Sequence, residues 1–328
     1  MLVATLAAAL LGCEDGSGSG RDRERARGGA GADGACGPLR YAEVRGRAPR
    51  YLDERALGRF RNDRAVCAGV WLPADHGFVP QGVVVHGGSA WVSGFDGSGR
   101  PGDRYCMVER VDLRTGKRLG SVEGVAGRVG PRDPVKCRHG GGLVRDEHGL
   151  WLVETRRVWL IDPATLEVER AWALVEPLRG SFALLDGEGR LGLGRWHPRR
   201  AAQVDWFDTD DLVSSSALDL TIEMAEGATP APRRSQGGVW ARLEGGPAAW
   251  FAQSVTRCGV LVGPEGTRRR AFVPGAEGMD LVGEDTLWVV SESGTRPYQE
   301  LGGRPVVPML VRLDLSDFSS WRRPDCGV

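Results

Sequence analysis

Apolar positions along the chain come in short runs that end on the same punctuation. Val108–Asp112, Val158–Asp162, Val204–Asp208 and Leu310–Asp314 each read as an apolar strand closed by aspartate, and Gly259–Gly263 repeats the pattern with glycine in place of the acid. The landmarks at 112, 162, 208, 263 and 314 recur about every 50 residues. A second landmark keeps the same rhythm, a glycine followed nine to twelve residues later by tryptophan: Gly82 and Trp91, Gly142 and Trp151, Gly238 and Trp250, Gly278 and Trp288. The third unit is degenerate, with Gly180 and then Leu191-Gly192-Leu193. Each unit therefore holds four short strands separated by Gly, Asp and Pro turns. In the first they fall at about 82–86, 90–94, 107–112 and 117–122.

Four strands per unit, five units from 78 to 318, predict an all-β fold, a five-bladed β-propeller. The recurring Trp suits the widening gap between blades, and the recurring Asp can accept backbone N–H groups of the turn that follows it. Residues 39–77 precede the repeats and are expected to close the ring. They hold a strand-like Leu39–Val44, a stretch Tyr51–Val66 with Leu52, Ala56, Leu57 and Phe60 at helical spacing, and Cys67–Leu72, which suits the outer strand of the last blade. A sixth, irregular blade built from both termini is the alternative, and 319–328 reads as a tail.

Composition supports the β reading and narrows the function. Of 328 residues 49 are glycine, about twice the usual share, and helices do not tolerate that density. Forty-three basic residues balance 43 acidic ones. That balance argues against a general nucleic-acid binder and against disorder. Only Lys117 and Lys136 are lysines, Asn62 is the one asparagine, and Ile161 and Ile222 are the isoleucines. This bias suggests a GC-rich bacterial genome, in which arginine often stands in for lysine.

The first 13 residues carry an address. Leu2–Leu11 is an apolar run of signal-peptide length, too short to span a bilayer. It ends in Leu10-Leu11-Gly12-Cys13, which resembles the lipobox of bacterial lipoproteins. The resemblance implies lipidation of Cys13, a flexible linker over 14–38, and an extracytoplasmic, membrane-anchored protein. Six further cysteines lack any C-x-x-C spacing, so disulfides are expected rather than a zinc site. Cys106 and Cys137 follow loops that emerge on one face of neighbouring blades, and they are predicted to pair.

Candidate chemistry gathers at one mouth of the channel, where inner strands begin and second strands end. Gln81, His139, Ser181, Gln236 and Glu277 stand at the first position, and Ser93, Glu154, Arg195, Gln253 and Glu292 at the second. Convergent polar groups at a concave site suggest ligand binding; a wet channel lined by polar side chains is the plainer reading. Asp205, Asp208, Asp210 and Asp211 lack the glycine and terminal glutamate of a calcium loop, and Asp208 is already a turn residue. The stretch Glu277–Glu292, opening on E-G and closing on S-E, resembles secreted propellers of the phytase-like esterase and gluconolactonase-like groups. That resemblance implies a metal-dependent hydrolase as the alternative function, with Glu277, His139 and Glu154 as ligands and Ca²⁺ as the possible cofactor. As a whole the chain resembles bacterial propeller lipoproteins of GC-rich Gram-positive type, which implies no particular activity.

Long loops on the same face carry Arg100, Arg104, Arg128, Arg132, Arg199, Arg200, Arg233, Arg234, Arg296 and Arg304, with Phe95, Tyr105, Trp196 and Tyr298. Guanidinium groups beside aromatic planes suit an anionic cell-wall glycan, or a protein partner. The first expectation is therefore a lipid-anchored binding or scaffold module.

Overall fold

The computed structural model describes residues 35–52, 55–100, 102–300 and 306–328. The proposed lipidation site Cys13 and most of the linker lie outside the described residues. Five four-stranded antiparallel sheets form the five blades of a propeller. Blade 1 is Phe78–His86, Ser89–Asp96, Cys106–Asp112 and Arg118–Glu123. Blade 2 is Gly142–Arg145, Leu150–Glu154, Arg157–Ile161 and Val168–Leu174. Asp219–Leu220 adds to its outer edge in parallel. Blade 3 comprises Phe182–Leu185, Leu191–Gly194, Ala202–Phe207 and Gly227–Ala231. Blade 4 comprises Ser235–Ala241, Ala248–Val255, Cys258–Val262 and Arg269–Phe272. Blade 5 takes Ala276–Val282, Thr286–Ser291 and Leu310–Asp314 from the end of the chain and borrows Val66–Val70 as its outer strand. Val66 faces Leu313 and Val70 faces Leu310 in that closing pair.

The recurring residues do the work their chemistry suits. Asp112 accepts the Thr115 N–H at 2.7 Å, Asp162 the Ala164 N–H at 2.8 Å and Asp314 the Ser316 N–H at 2.8 Å. Asp208 instead caps the helix Thr209–Ser214, accepting the Asp211 N–H at 3.0 Å. Each gap between neighbouring blades holds its own buried apolar cluster, and four of these clusters contain one of the periodic tryptophans, Trp91, Trp151, Trp250 or Trp288. The gap between blades 3 and 4 is packed by Phe182, Trp206 and Phe251 instead.

The inner strands touch backbone to backbone. A Cβ on Gly142 would sit 2.3 Å from the Ala183 nitrogen of blade 3, and one on Gly278 would sit 2.6 Å from the Gln81 oxygen of blade 1. Glycine is required there by close approach. Across the axis, Cα atoms of the inner strands of blades 2 and 5 come within 8 Å. The channel is therefore narrow.

Two expectations for the preceding segment fail. Leu39–Val44 forms no strand: Tyr41–Glu43 is a 3-10 turn, closed by the Arg40 N–H on Glu43 at 2.7 Å. Tyr51–Val66 is no helix; among its described residues only Asp63–Ala65 forms a 3-10 turn. Its apolar residues serve different clusters, Leu52 packing with Trp71 and Val306 and Phe60 against the blade 4–5 cluster. A strap laid across several blades reproduces helical spacing by accident.

Three disulfides tie the periphery: Cys36–Cys67, Cys106–Cys137 with Cα atoms 5.2 Å apart, and Cys258–Cys326. The last holds the C-terminal tail on blade 4, where Asn62 also grips it by accepting the Arg322 N–H at 2.8 Å. Three disulfides suit an oxidising, extracytoplasmic compartment. Among the described residues no helix is long and apolar enough to cross a membrane.

Candidate functional site

The mouth where the inner strands begin is shut by its own polar groups. Gln81 is 4% exposed, Glu277 3% and Glu292 6%. The Gln81 amide donates to Glu292 Oε2 at 3.2 Å and to the Pro80 carbonyl at 3.0 Å, joining blade 1 to blade 5. The Gln236 amide of blade 4 donates to Glu277 Oε1 at 2.9 Å. Burial pushes the Glu292 carboxyl up to about 7, against the Tyr298 hydroxyl, Gln81 and Arg104, which favour its charged form. Burial, and then the negative charge of Glu292, hold Glu277 well above the ordinary carboxylate range. Two acids in one dry site do not both ionise readily, so near neutral pH the pair retains a proton.

His139 stacks on Phe95 with ring centroids 4.9 Å apart, and the Arg104 guanidinium lies 4.5 Å from the Phe95 centroid. Burial, with Arg104 second, lowers the His139 imidazole to about 4, so it is neutral at pH 7. Cys106–Cys137 fixes this corner, since the Cys106 N–H also donates to the Cys137 carbonyl at 3.0 Å. Ser93 donates to the Gly140 carbonyl at 2.9 Å, a structural bond.

Glu154 and Arg195, also expected at the mouth, have other neighbours. Glu154 Oε1 accepts from Arg157 at 2.9 Å, a partner that sequence spacing did not reveal. Glu277, His139 and Glu154 do not bring ligand atoms within 4.8 Å of one another. Arg195 lies on blade 3 in a separate cavity of about 440 Å³, with His197, Arg200, Gln203 and Asp205. The acidic run is likewise dispersed: Asp210 pairs with His148 at 2.8 Å, while Gln203 donates to Asp205.

The arginine loops divide in the same way. Arg132 is held bidentately by Asp219 at 2.9 Å for both contacts, and Arg296 lies 3.9 Å from Glu300. Arg304 lies outside the described residues. Around blade 3, however, the loops 195–203 and 232–234 are stitched together. The Arg234 N–H donates to the His197 carbonyl at 2.9 Å, and its Nε to the Pro198 carbonyl at 3.1 Å. His197 Nδ1 accepts the N–H groups of Arg199 and Arg200 at 3.1 and 3.0 Å. Arg195, Arg199, Arg200, Arg233 and Arg234 lie on or beside these two joined loops, which also carry Trp196, 42% exposed. Among the described residues no carboxylate lies within 4 Å of any of these five guanidinium groups. Free cations beside an exposed indole form a surface for anions carried on a flat or ring-shaped framework.

No family model matches the chain, and no curated protein matches its sequence. Solved structures do. The chain is similar to calcium-binding regucalcin from Agrobacterium tumefaciens, at 11% identity and TM-score 0.41 over 72% of this chain and 92% of that one. It is also similar to the Pan2 WD40 domain of Neurospora crassa, at 12% identity and TM-score 0.37 over 77% and 67%. BamB from Moraxella catarrhalis is similar at 11% identity and TM-score 0.30 over 71% and 57%. These neighbours are propellers at low identity, and the likeness carries no activity.

Proposed function

We propose that this propeller is an extracytoplasmic binding module that holds an anionic glycan, carboxylated or phosphorylated, on the arginine-rich face of blade 3. The observation that supports the reading is the set of five guanidinium groups on the joined loops 195–203 and 232–234 that have no carboxylate partner among the described residues, with exposed Trp196 on the same loops. Cations left unpaired on a rigid scaffold are stabilised by an incoming anion and add little to the fold itself. Cys13, lipidated, would keep the module at the membrane surface, within reach of envelope polymers.

Affinity of the full chain for polygalacturonate and for poly(glycerol phosphate), with neutral dextran as control, tests the reading. Binding to both polyanions should weaken as salt shortens the range of the charges. The triple substitution Arg199→Ala, Arg200→Ala, Arg233→Ala should reduce it at least about tenfold, roughly 1.4 kcal/mol. Dextran binding of equal strength, or an unaffected variant, sinks it. Membrane fractionation of Cys13→Ser checks the anchor: the variant should move to the soluble fraction.

One observation favours a second reading, a hydrolase at the shut mouth. Glu277 and Glu292 form a dry acid pair, and the Arg104 charge that acts on Glu292 acts on the neutral His139 imidazole as well. Oxygen donors of this kind suit a hard cation such as Ca²⁺, with Gln81 and Gln236 able to turn their amide oxygens inward. His139 and Glu154 do not fit the same ion. Calorimetric titration with Ca²⁺ decides it: stoichiometric binding that Glu277→Gln abolishes supports the hydrolase.

A further inference from the structure

At the far end of the axis the inner strands flare around a cavity of about 510 Å³, lined by all five blades. One register position builds its collar, the residue facing the second strand's landmark. Val84 faces Trp91, Val144 faces Trp151, Leu184 faces Gly192 and Val239 faces Trp250. In blade 5 the residue facing Trp288 is Asp280. All five line the cavity. In four blades the position seals the gap to the next blade with an aliphatic side chain; the fifth places a carboxylate there.

That carboxylate is built in. Asp280 Oδ2 accepts the Val85 N–H of blade 1 at 2.6 Å, and the Leu281 N–H also bonds it. No cation lies within 4 Å of it among the described residues. The same cavity is lined by Arg145, whose Nε is enclosed without a hydrogen-bond partner. Arg145 has no carboxylate within 4 Å among the described residues. Asp186, also in the wall, is already committed to Arg190 at 2.7 Å. Asp280 and Arg145 sit on strands whose Cα atoms approach within 8 Å across the axis. One unpaired negative group and one unpaired positive group thus share an apolar chamber.

We propose that this cavity binds a small zwitterion with an apolar body, a peptide of two hydrophobic residues being the best match, its ammonium on Asp280 and its carboxylate on Arg145. The volume falls within the range of small-molecule sites, about 300–1,000 Å³. An ion pair formed in an enclosed site is strengthened by the low local dielectric, and each end of the ligand satisfies a group that the protein leaves unmatched. A neutral hydrophobe would satisfy neither, and a lone carboxylate supplies too few ligands for a metal ion.

Isothermal titration of the full chain with leucyl-phenylalanine, its N-acetyl derivative and its C-terminal amide tests the proposal. The free dipeptide should bind, and each blocked form should bind at least about tenfold more weakly, the loss expected for one charge-assisted hydrogen bond. Asp280→Asn keeps an acceptor for the Val85 N–H; it should lower affinity for the dipeptide to that of the acetylated form and leave the acetylated form unchanged. Arg145→Gln should do the same for the amide. No binding of the dipeptide, equal binding of the blocked forms, or unchanged affinity in both substituted chains at wild-type melting temperature overturns it. The ligand series on the wild-type chain decides the matter even where a variant folds poorly.

Discussion

The two ends of the propeller axis are built from the same five inner strands and behave oppositely. Where the strands begin, Gln81, Gln236, Glu277 and Glu292 converge, pair with one another and close the mouth. Where they end, mostly aliphatic residues leave a chamber of about 510 Å³. Long polar side chains reach from one blade to its neighbour and satisfy each other, whereas short aliphatic ones pack sideways into the gaps between blades. Polarity at a channel mouth therefore does not mean access.

The sharpest way to break the contrast is to release the corner that holds the closed end. Cys106→Ser with Cys137→Ser removes a bridge across a sequence separation of 31 residues. The loss should approach about 3–4 kcal/mol on the chain-entropy account. If the corner is what buries His139, its imidazole should also rise from about 4 towards the ordinary value of 6.5, which a pH titration followed by NMR reads directly.

The acid pair gives the next largest effect. A carboxyl whose folded pKa is raised contributes stability in full below its unfolded value, and that contribution is lost as pH rises through the folded one. For Glu292 the window runs from 4.5 to about 7. Unfolding free energy should fall across it by on the order of 3 kcal/mol. Glu292→Gln should flatten the slope, and urea melts at pH 5 and pH 8 provide the check. A wild-type chain as stable at pH 8 as at pH 5 would show that the end is open to water.

A smaller effect tests the narrowness of the channel itself. Gly142→Ala places a Cβ 2.3 Å from the Ala183 nitrogen, so a backbone must shift. The cost should be about 1–3 kcal/mol in the same urea melts. A neutral substitution would mean that the inner strands slide freely and that the two ends communicate.

These features differ in how far they could be read from the chain. Asp112, Asp162 and Asp314 bond to their own turns two or three residues away, and Trp91 and Trp151 fill the gap beside their own blade, so their roles follow from local order. The pairing of Gln81 with Glu292 spans 211 positions, and no spacing rule anticipates it. The Glu154 partner Arg157 is only three residues away, but it belongs to the next strand across a hairpin, where no helical or strand period points to it. Leu52 and Phe60 misled because a strap serving two clusters mimics a helix. Asp280 is legible in the chain: it stands two residues after its landmark Gly278, where Val84 follows Gly82 and Val144 follows Gly142.

The outer strand of the last blade also sets an order of events. Val66 finds Leu313 only after nearly the whole ring has been made, and among the described residues this contact has the longest sequence separation of any strand pairing. Loop-closure entropy makes such a contact late, after the four contiguous blades have formed from local hairpins. Until Leu310–Asp314 joins, the chain is an open arc with Val66–Val70 unpaired at one edge. Once both segments are present the arc becomes a ring, and the last pairing serves as a proofreading step: a chain truncated before residue 310 cannot close it.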